Sequence, residues 1–228
     1  MSEGPWWRFG WQRRAPAYNM ALDEALLEAM PRLGRPVLRF YGWAEPAATF
    51  GYFQKINQIE PLTLLRPLIR RPTGGGLVPH DADWTYSLVF PAHHPWYQLT
   101  AIESYQRVHR WIEKAFRHLN IPTELALATR KADQGACFAG YERFDLLWQG
   151  RKIAGAAQRR TRDGLLIQGS VQPPPLSLSR DSWAAAMCQV AALDEVRWAE
   201  LGLDSTLAER ADELDQKKYR TAAYNRKR

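Results

Sequence analysis

The sequence predicts an α+β layered domain, on three observations. Strand-length apolar runs recur at 37–41, 47–53, 85–90, 151–158 and 165–171, each with glycine or proline at one or both ends. A helical apolar period runs from Thr100 to the Asn120/Pro122 stop. These strands and helices are mixed without strict alternation, which disfavours a doubly wound parallel sheet. The chain of 228 residues suits one domain with a proper core, here expected over 1–228 with a basic C-terminal tail from about 205.

The elements follow in order. Asn19 is placed to cap a helix to about Met30, with Asp23 and Glu24 near its positive end and Leu22, Ala25, Leu26 and Ala29 on one face. Strands 37–41 and 47–53 are parted by the break from Gly42 to Pro46, and a short strand at 69–71 enters three consecutive glycines. Strand 85–90 closes at Pro91. Thr100 and Glu103 form a capping box, followed by Ile102, Tyr105, Ile112, Phe116 and Leu119 near helical spacing. Strands 144–148 and 151–158 flank a Gln149-Gly150 turn, strand 165–171 ends before three prolines, 181–192 reads as a short helix, and the charged tail has room for another.

Composition narrows the class. A hydrophobic share of 46% with 24% charged residues fits a soluble globular chain, and no apolar run has the length of a membrane span. Residues 1–14 lack the apolar stretch of a signal peptide. Two cysteines, Cys137 and Cys188, make no disulfide framework and have no metal-type spacing, so a reducing cytoplasm is expected. A net charge of +7 suits an anionic partner or simply solubility. Trp6, Trp7 and Trp11 read either as a base-stacking platform or, more commonly, as packing.

Two segments carry chemistry. The first is Arg70-Arg71-Pro72-Thr73-Gly74-Gly75-Gly76-Leu77-Val78-Pro79-His80, followed by Asp81. Three glycines cost backbone entropy and are tolerated where the backbone must approach something closely or adopt positive φ. Their bare amides can bind phosphate or carboxylate oxygens, and the arginines can add charge-assisted bonds. The loop lacks the Gly-Lys-Ser/Thr of a nucleotide-hydrolase phosphate loop and is no dinucleotide fingerprint. The second segment runs from Cys137 through 144–148 to Gly150-Arg151-Lys152-Ile153-Ala154-Gly155-Ala156-Ala157-Gln158. A nearby ammonium lowers a thiol's pKa, and Lys152 could polarise a thioester carbonyl. Gly155, Ala156 and Ala157 leave room for a slender acyl chain. On residue types alone the commoner reading of Cys137 is an inert packed thiol, and that of Lys152 a solvated strand position.

The chain resembles the biotin/lipoate ligase superfamily, on its lipoate side. Residues 18–27 look like that family's first helix, 70–81 its substrate loop, 150–160 its lysine strand, 165–171 the next strand, and Lys218 to Asn225 its closing motif. The resemblance implies a central mixed β-sheet flanked by helices, as in class II synthetase-like catalytic domains. It implies that Lys152 contacts the acyl carbonyl, and that Arg70, Arg71, Thr73, Gly74, Gly75, Gly76, His80, Gly155, Gln158, Gly169 and Ser170 bind substrate. Cys137 stands where octanoyltransferases of this kind carry a nucleophile, and residues 82–87 are closer to the transferase pattern than to the ligase one. The resemblance therefore implies octanoyl transfer from an acyl carrier protein, through a Cys137 thioester, to a lysine of a lipoyl carrier such as glycine cleavage H protein or a dehydrogenase E2 lipoyl domain. It implies no required cofactor; the alternative, a lipoate ligase, would use ATP and Mg. A third reading is a non-catalytic acyl-carrier or nucleic-acid module, with nucleic acid disfavoured and no membrane partner expected. Gln168 and Pro79 depart from the family, the first standing where histidine is common.

Overall fold

In the computed structural model of the chain, which describes residues 4–130 and 140–227, the elements run as follows. Strand β1 (Trp6–Arg14) leads to helix α1 (Pro16–Glu28), the turn α2 (Met30–Leu33), β2 (Val37–Trp43) and β3 (Ala47–Phe50). After α3 (Ile56–Ile59) come β4 (Leu68–Arg70), β5 (Val78–His80) and β6 (Trp84–Pro91). The turn α4 (Pro95–Gln98) precedes α5 (Ala101–His118), β7 (Glu124–Leu125), β8 (Leu146–Trp148), β9 (Arg151–Arg160) and β10 (Gly164–Val171). The chain continues through α6 (Arg180–Leu193), β11 (Trp198–Leu201), α7 (Ser205–Leu214) and α8 (Ala222–Asn225).

Among the described residues eight strands form one mixed sheet in the order β11-β1-β2-β6-β10-β9-β8-β7. The β11-β1-β2 side is parallel and the remainder antiparallel. A second sheet, β4-β3-β5, carries the glycine loop between β4 and β5. This is the mixed sheet with flanking helices that the sequence implied.

Side-chain alternation sorts the main sheet's faces. Trp84, Tyr86, Leu88 and Phe90 of β6 join Val108, Ile112 and Phe116 of α5 and Trp183 of α6 in one core. Val37, Tyr41, Val89 and Leu166 join Leu22, Leu26 and Met30 in the other, under α1 and α7. Both faces of β6 are covered, so all eight of its residues are buried. Trp183, fully buried against Phe40, Trp84 and Tyr86, anchors the first core, and its truncation to alanine would cost about 3–5 kcal/mol.

Several expectations are corrected. Helix α1 starts at Pro16, with Ala15 at the cap. Asn19 is buried inside it and donates instead to the carbonyls of Arg14 and Gly42. Strand β3 stops at Phe50 because Gly51 abuts the glycine loop: a Cβ there would lie 2.0 Å from the Gly75 carbonyl oxygen. The tryptophan-rich start is a strand, β1, and Trp6 packs edge-on against Phe90, Trp111 and Trp198. The charged C-terminal segment does hold further helix, as the sequence allowed: it forms α7, a π-helical turn (Asp215–Tyr219) and α8, and it buries Leu207, Ala211, Leu214 and Tyr219 beside α1. The Thr100–Glu103 capping box forms as expected. Among the described residues no helix is long and apolar enough to cross a membrane.

Candidate functional site

A cavity of about 600 Å³ lies between the glycine loop on one side and strand β9 with the start of α5 on the other. Gly75, Gly76, Arg71 and His80 line the loop wall; Lys152, Gly155, Gln158, Gly169 and Ser170 line the sheet wall. The two segments that carried the chemistry in the sequence thus face one space. Arg70, Thr73 and Gly74, expected at the substrate, do not line it. Cys137 lies outside the described residues.

The loop wall is built from its own arginines. The Arg71 side chain donates to the carbonyl oxygens of Gly74 (2.6 Å), Gly76 (2.7 Å) and Thr49 (3.2 Å). Gly75 has φ +84°, and a Cβ on it would meet the Arg71 guanidinium at 2.8 Å, so glycine is required there twice over. Burial lowers the Arg71 pKa to about 10, which still leaves it charged. Arg70 is turned away from the cavity. Its guanidinium donates to Tyr52, Gln54, Tyr224 and Asn225 carbonyls, and its backbone amide donates to the Asn225 side chain. It is a clamp between the loop and the chain's last helix. Glu24 fastens the same region to α1, accepting from Lys218 Nζ at 2.5 Å and from the Tyr219 hydroxyl at 2.6 Å.

His80 ends the loop. Its carboxylate partner is Asp83, at 2.9 Å from Nδ1, rather than the adjacent, exposed Asp81. With Asp83 accepting, Nδ1 carries the proton and Nε2 accepts from the Thr49 hydroxyl at 2.8 Å. Trp43 stacks on the imidazole with ring centroids 3.9 Å apart. Asp83 also receives the Thr85 and Ser170 hydroxyls, so this carboxylate ties the loop to β6 and β10.

Under the cavity floor sits a buried hub that the sequence reading missed. Asp23 is 0% exposed and accepts from Arg39 (2.6 Å), Tyr41 (3.0 Å), Ser87 (2.8 Å) and Gln168 (2.7 Å). Gln168 meanwhile accepts from Thr73 at 2.8 Å. A side chain with both a donor and an acceptor end suits this bridge, which gives Gln168 and Thr73 structural partners here.

On the sheet wall Lys152 pairs with the fully buried Asp145 at 2.7 Å. Asp145 also receives the Tyr105 hydroxyl from α5. Gln158 ties β9 to the same helix, donating to Ala101 and accepting from Ser104. Gly169 lies under the Tyr86 ring, leaving no space for a Cβ. Asp145 and Tyr105 were readable only as a carboxylate between apolar residues and as one position on a helix face. The signal available was that a charge among Phe144, Leu146 and Leu147 needs a partner if it is buried.

The family model described as lipoyl protein ligase A/B catalytic domain matches residues 15–172. The chain belongs to this family. Octanoyltransferase LipM of Carboxydothermus hydrogenoformans is 40% identical over 161 residues, aligned to 68% of this chain and 60% of that protein. Octanoyltransferase LipM of Bacillus subtilis is 35% identical over 183 residues, covering 72% and 64%. The chain therefore spans less than two thirds of the length of these curated relatives. Lipoate-protein ligase A bound with ATP superposes with a TM-score of 0.78 at 20% identity, over 97% of this chain and 98% of that one. A bi-partite lipoate protein ligase from Thermoplasma acidophilum gives 0.71 at 18%, over 98% and 97%. These two establish the fold alone. The lipoyl protein ligase A/B match contains both cavity walls but stops before α8, so the clamp from Asn225 to Arg70 lies partly beyond it.

Proposed function

We propose that this chain is an octanoyltransferase of protein lipoylation: it moves an octanoyl group from an acyl carrier protein thioester, through Cys137, to a lysine of a lipoyl carrier. The observation that carries the reading is the shared cavity, which a self-braced glycine loop lines together with Lys152, Gly155, Ala156 and Ala157 of β9. The identity to octanoyltransferases of 34–40% supports the transferase over the ligase. So does the loop wall, where the Arg71 guanidinium is committed to carbonyl oxygens rather than directed at a phosphate, and Arg70 is turned away from the cavity altogether.

Transfer takes two displacements. The Cys137 thiolate attacks the donor's thioester carbonyl, the C–S bond to the donor breaks, and the donor thiolate leaves and takes up a proton. The acceptor's lysine amine then attacks the octanoyl-Cys137 carbonyl, loses a proton, and expels the Cys137 thiolate to leave an amide. Splitting the reaction through a covalent intermediate replaces one hard step with two easier ones. Thr129 and Glu142, on either side of the segment that contains Cys137, both line the cavity with Lys152, which supports the assignment. The reading requires no cofactor. It takes an acyl carrier protein as donor and a glycine cleavage H protein or E2 lipoyl domain as acceptor, in the cytoplasm. Acidic carriers would meet a chain of net charge +7 faster at low salt.

Intact mass after mixing with octanoyl-acyl carrier protein, without ATP, tests this. A hydroxylamine-sensitive octanoyl adduct that Cys137→Ser abolishes is expected. No adduct, together with lipoyl-AMP formation from ATP and lipoate, would establish the ligase instead.

A further inference from the structure

The ion pair on the sheet wall is more elaborate than a surface salt bridge. The Asp145 side chain is 0% exposed. Its Oδ2 accepts from Lys152 Nζ and from the Glu142 backbone amide, each at 2.7 Å, and its Oδ1 accepts from the Tyr105 hydroxyl. A buried carboxylate persists only with such compensation, since an uncompensated charge is strongly disfavoured away from water. Burial first, then the Asp145 charge, pushes the Tyr105 hydroxyl's pKa upward, so Tyr105 stays a donor.

The strand that carries the amine is shaped to match. A Cβ at Gly155 would lie 2.9 Å from Lys152 Cε, 3.0 Å from Nζ and 3.4 Å from Asp145 Oδ1. The head of Lys152 therefore occupies the space that any larger residue at 155 would fill. Carboxylate and slot together limit the ammonium to one place on the cavity wall, with 17% of its side chain exposed.

We propose that Asp145, seated by Tyr105 and the Glu142 amide, is the positioning residue that holds Lys152 in the Gly155 slot as a fixed cation for the reacting thioester carbonyl. The proposal rests on the octanoyl-transfer reading above and deepens it. Lys152 then acts electrostatically and not as a base. When the thiolate adds to the carbonyl, the C=O π pair moves onto oxygen, and the ammonium faces that oxyanion. When the tetrahedral centre collapses, the pair returns and the C–S bond to the donor breaks. No proton leaves Lys152 in either step. A fixed donor of this kind acts most strongly where charge develops, so its loss appears in the rate more than in binding.

The test compares wild type with Asp145→Asn, Asp145→Glu and Gly155→Ala in the full chain. Two quantities are read: the single-turnover rate and half-saturation of octanoyl-enzyme formation, and the rate at which an N-hydroxysuccinimide acetyl ester labels Lys152, followed by peptide mass. Asp145→Asn keeps the shape and removes the charge. It is expected to slow acylation roughly 10- to 100-fold at unchanged half-saturation, and to make Lys152 label several-fold faster. Asp145→Glu should recover part of the rate, and Gly155→Ala should reproduce the loss with the ion pair's residues intact. Acylation at the wild-type rate in Asp145→Asn would overturn the proposal, as would a loss that merely tracks a lowered Tm. If the wild type forms no octanoyl adduct, the transferase reading falls. The labelling comparison still decides the positioning claim, and equal Lys152 labelling in wild type and Asp145→Asn overturns it.

Discussion

The two walls of the cavity both set a cation against glycine, yet they use it differently. On the loop wall Arg71 turns inward, and its donors are taken by the carbonyls of the loop that it braces. Gly75 makes room for that brace. On the sheet wall Gly155 makes room for Lys152, whose ammonium is held by one buried carboxylate at the edge of open space. The same pairing of residue types gives a rigid surface in one place and a directed charge in the other. What decides is the kind of partner: backbone carbonyls of the loop hold the planar guanidinium against the wall that it braces, whereas a buried carboxylate holds the ammonium as a compact charge at the cavity.

That contrast is open to test, starting with the largest effect. Arg70→Ala should destabilise the fold by on the order of 4 kcal/mol, because it strips donors from the buried carbonyls of Tyr224 and Asn225 and from the part-buried ones of Tyr52 and Gln54 together. Chemical denaturation reads this. A stable variant with selectively weakened substrate binding would mean that Arg70 belongs to the site after all. Lys152→Ala should slow octanoyl-enzyme formation by about 10²- to 10³-fold, or about 3–4 kcal/mol, with half-saturation nearly unchanged. A change confined to half-saturation would make the sheet wall a second binding surface and erase the contrast.

Behind the sheet wall, His109 sets an acid limit. Burial lowers its pKa from 6.5 to about 4, and its Nδ1 donates to the Tyr105 carbonyl in the same helix. Above pH 6.5 the imidazole is neutral whether the chain is folded or not. Between pH 6.5 and about 4 the unfolded chain takes up a proton that the folded one refuses, so stability falls as pH falls. The loss reaches on the order of 3 kcal/mol by pH 4. Denaturation midpoints of wild type and His109→Phe across pH 4–7 should converge in acid; parallel curves would remove His109 from this role. The smallest effect is expected at Gly75→Ala. The positive φ and the displaced Arg71 brace cost about 1–2 kcal/mol, seen as a raised half-saturation with little change in the single-turnover rate.

What the sequence made legible were features closed within a few residues. The Thr100–Glu103 box, the Gln149-Gly150 turn with φ of 49° and 72°, and the apolar runs of β6 and β10 need no distant partner. The glycine loop and the Lys152 strand were legible as chemistry, and the fold brings them to one cavity. Roles that depend on remote partners were not. Arg70 looked like a substrate cation because nothing nearby in sequence reveals Asn225, 155 residues away. Asp23 looked like a helix-dipole residue, and its four donors come from β2, β6 and β10. β1 was missed because its outer half is polar and its register with β2 shifts between Phe9 and Gln12, so it lacks a clean period of two.

One cavity is proposed to hold the acyl chain, lined by the glycine loop and the Lys152 strand. A crystal structure of the octanoyl-loaded protein tests it most directly. The chain should lie between Gly75–Gly76 and Gly155–Ala157, with its carbonyl oxygen within about 3 Å of Lys152 Nζ. An acyl chain seated elsewhere, or a carbonyl turned away from Lys152 with Asp145 still paired, would rule this placement out.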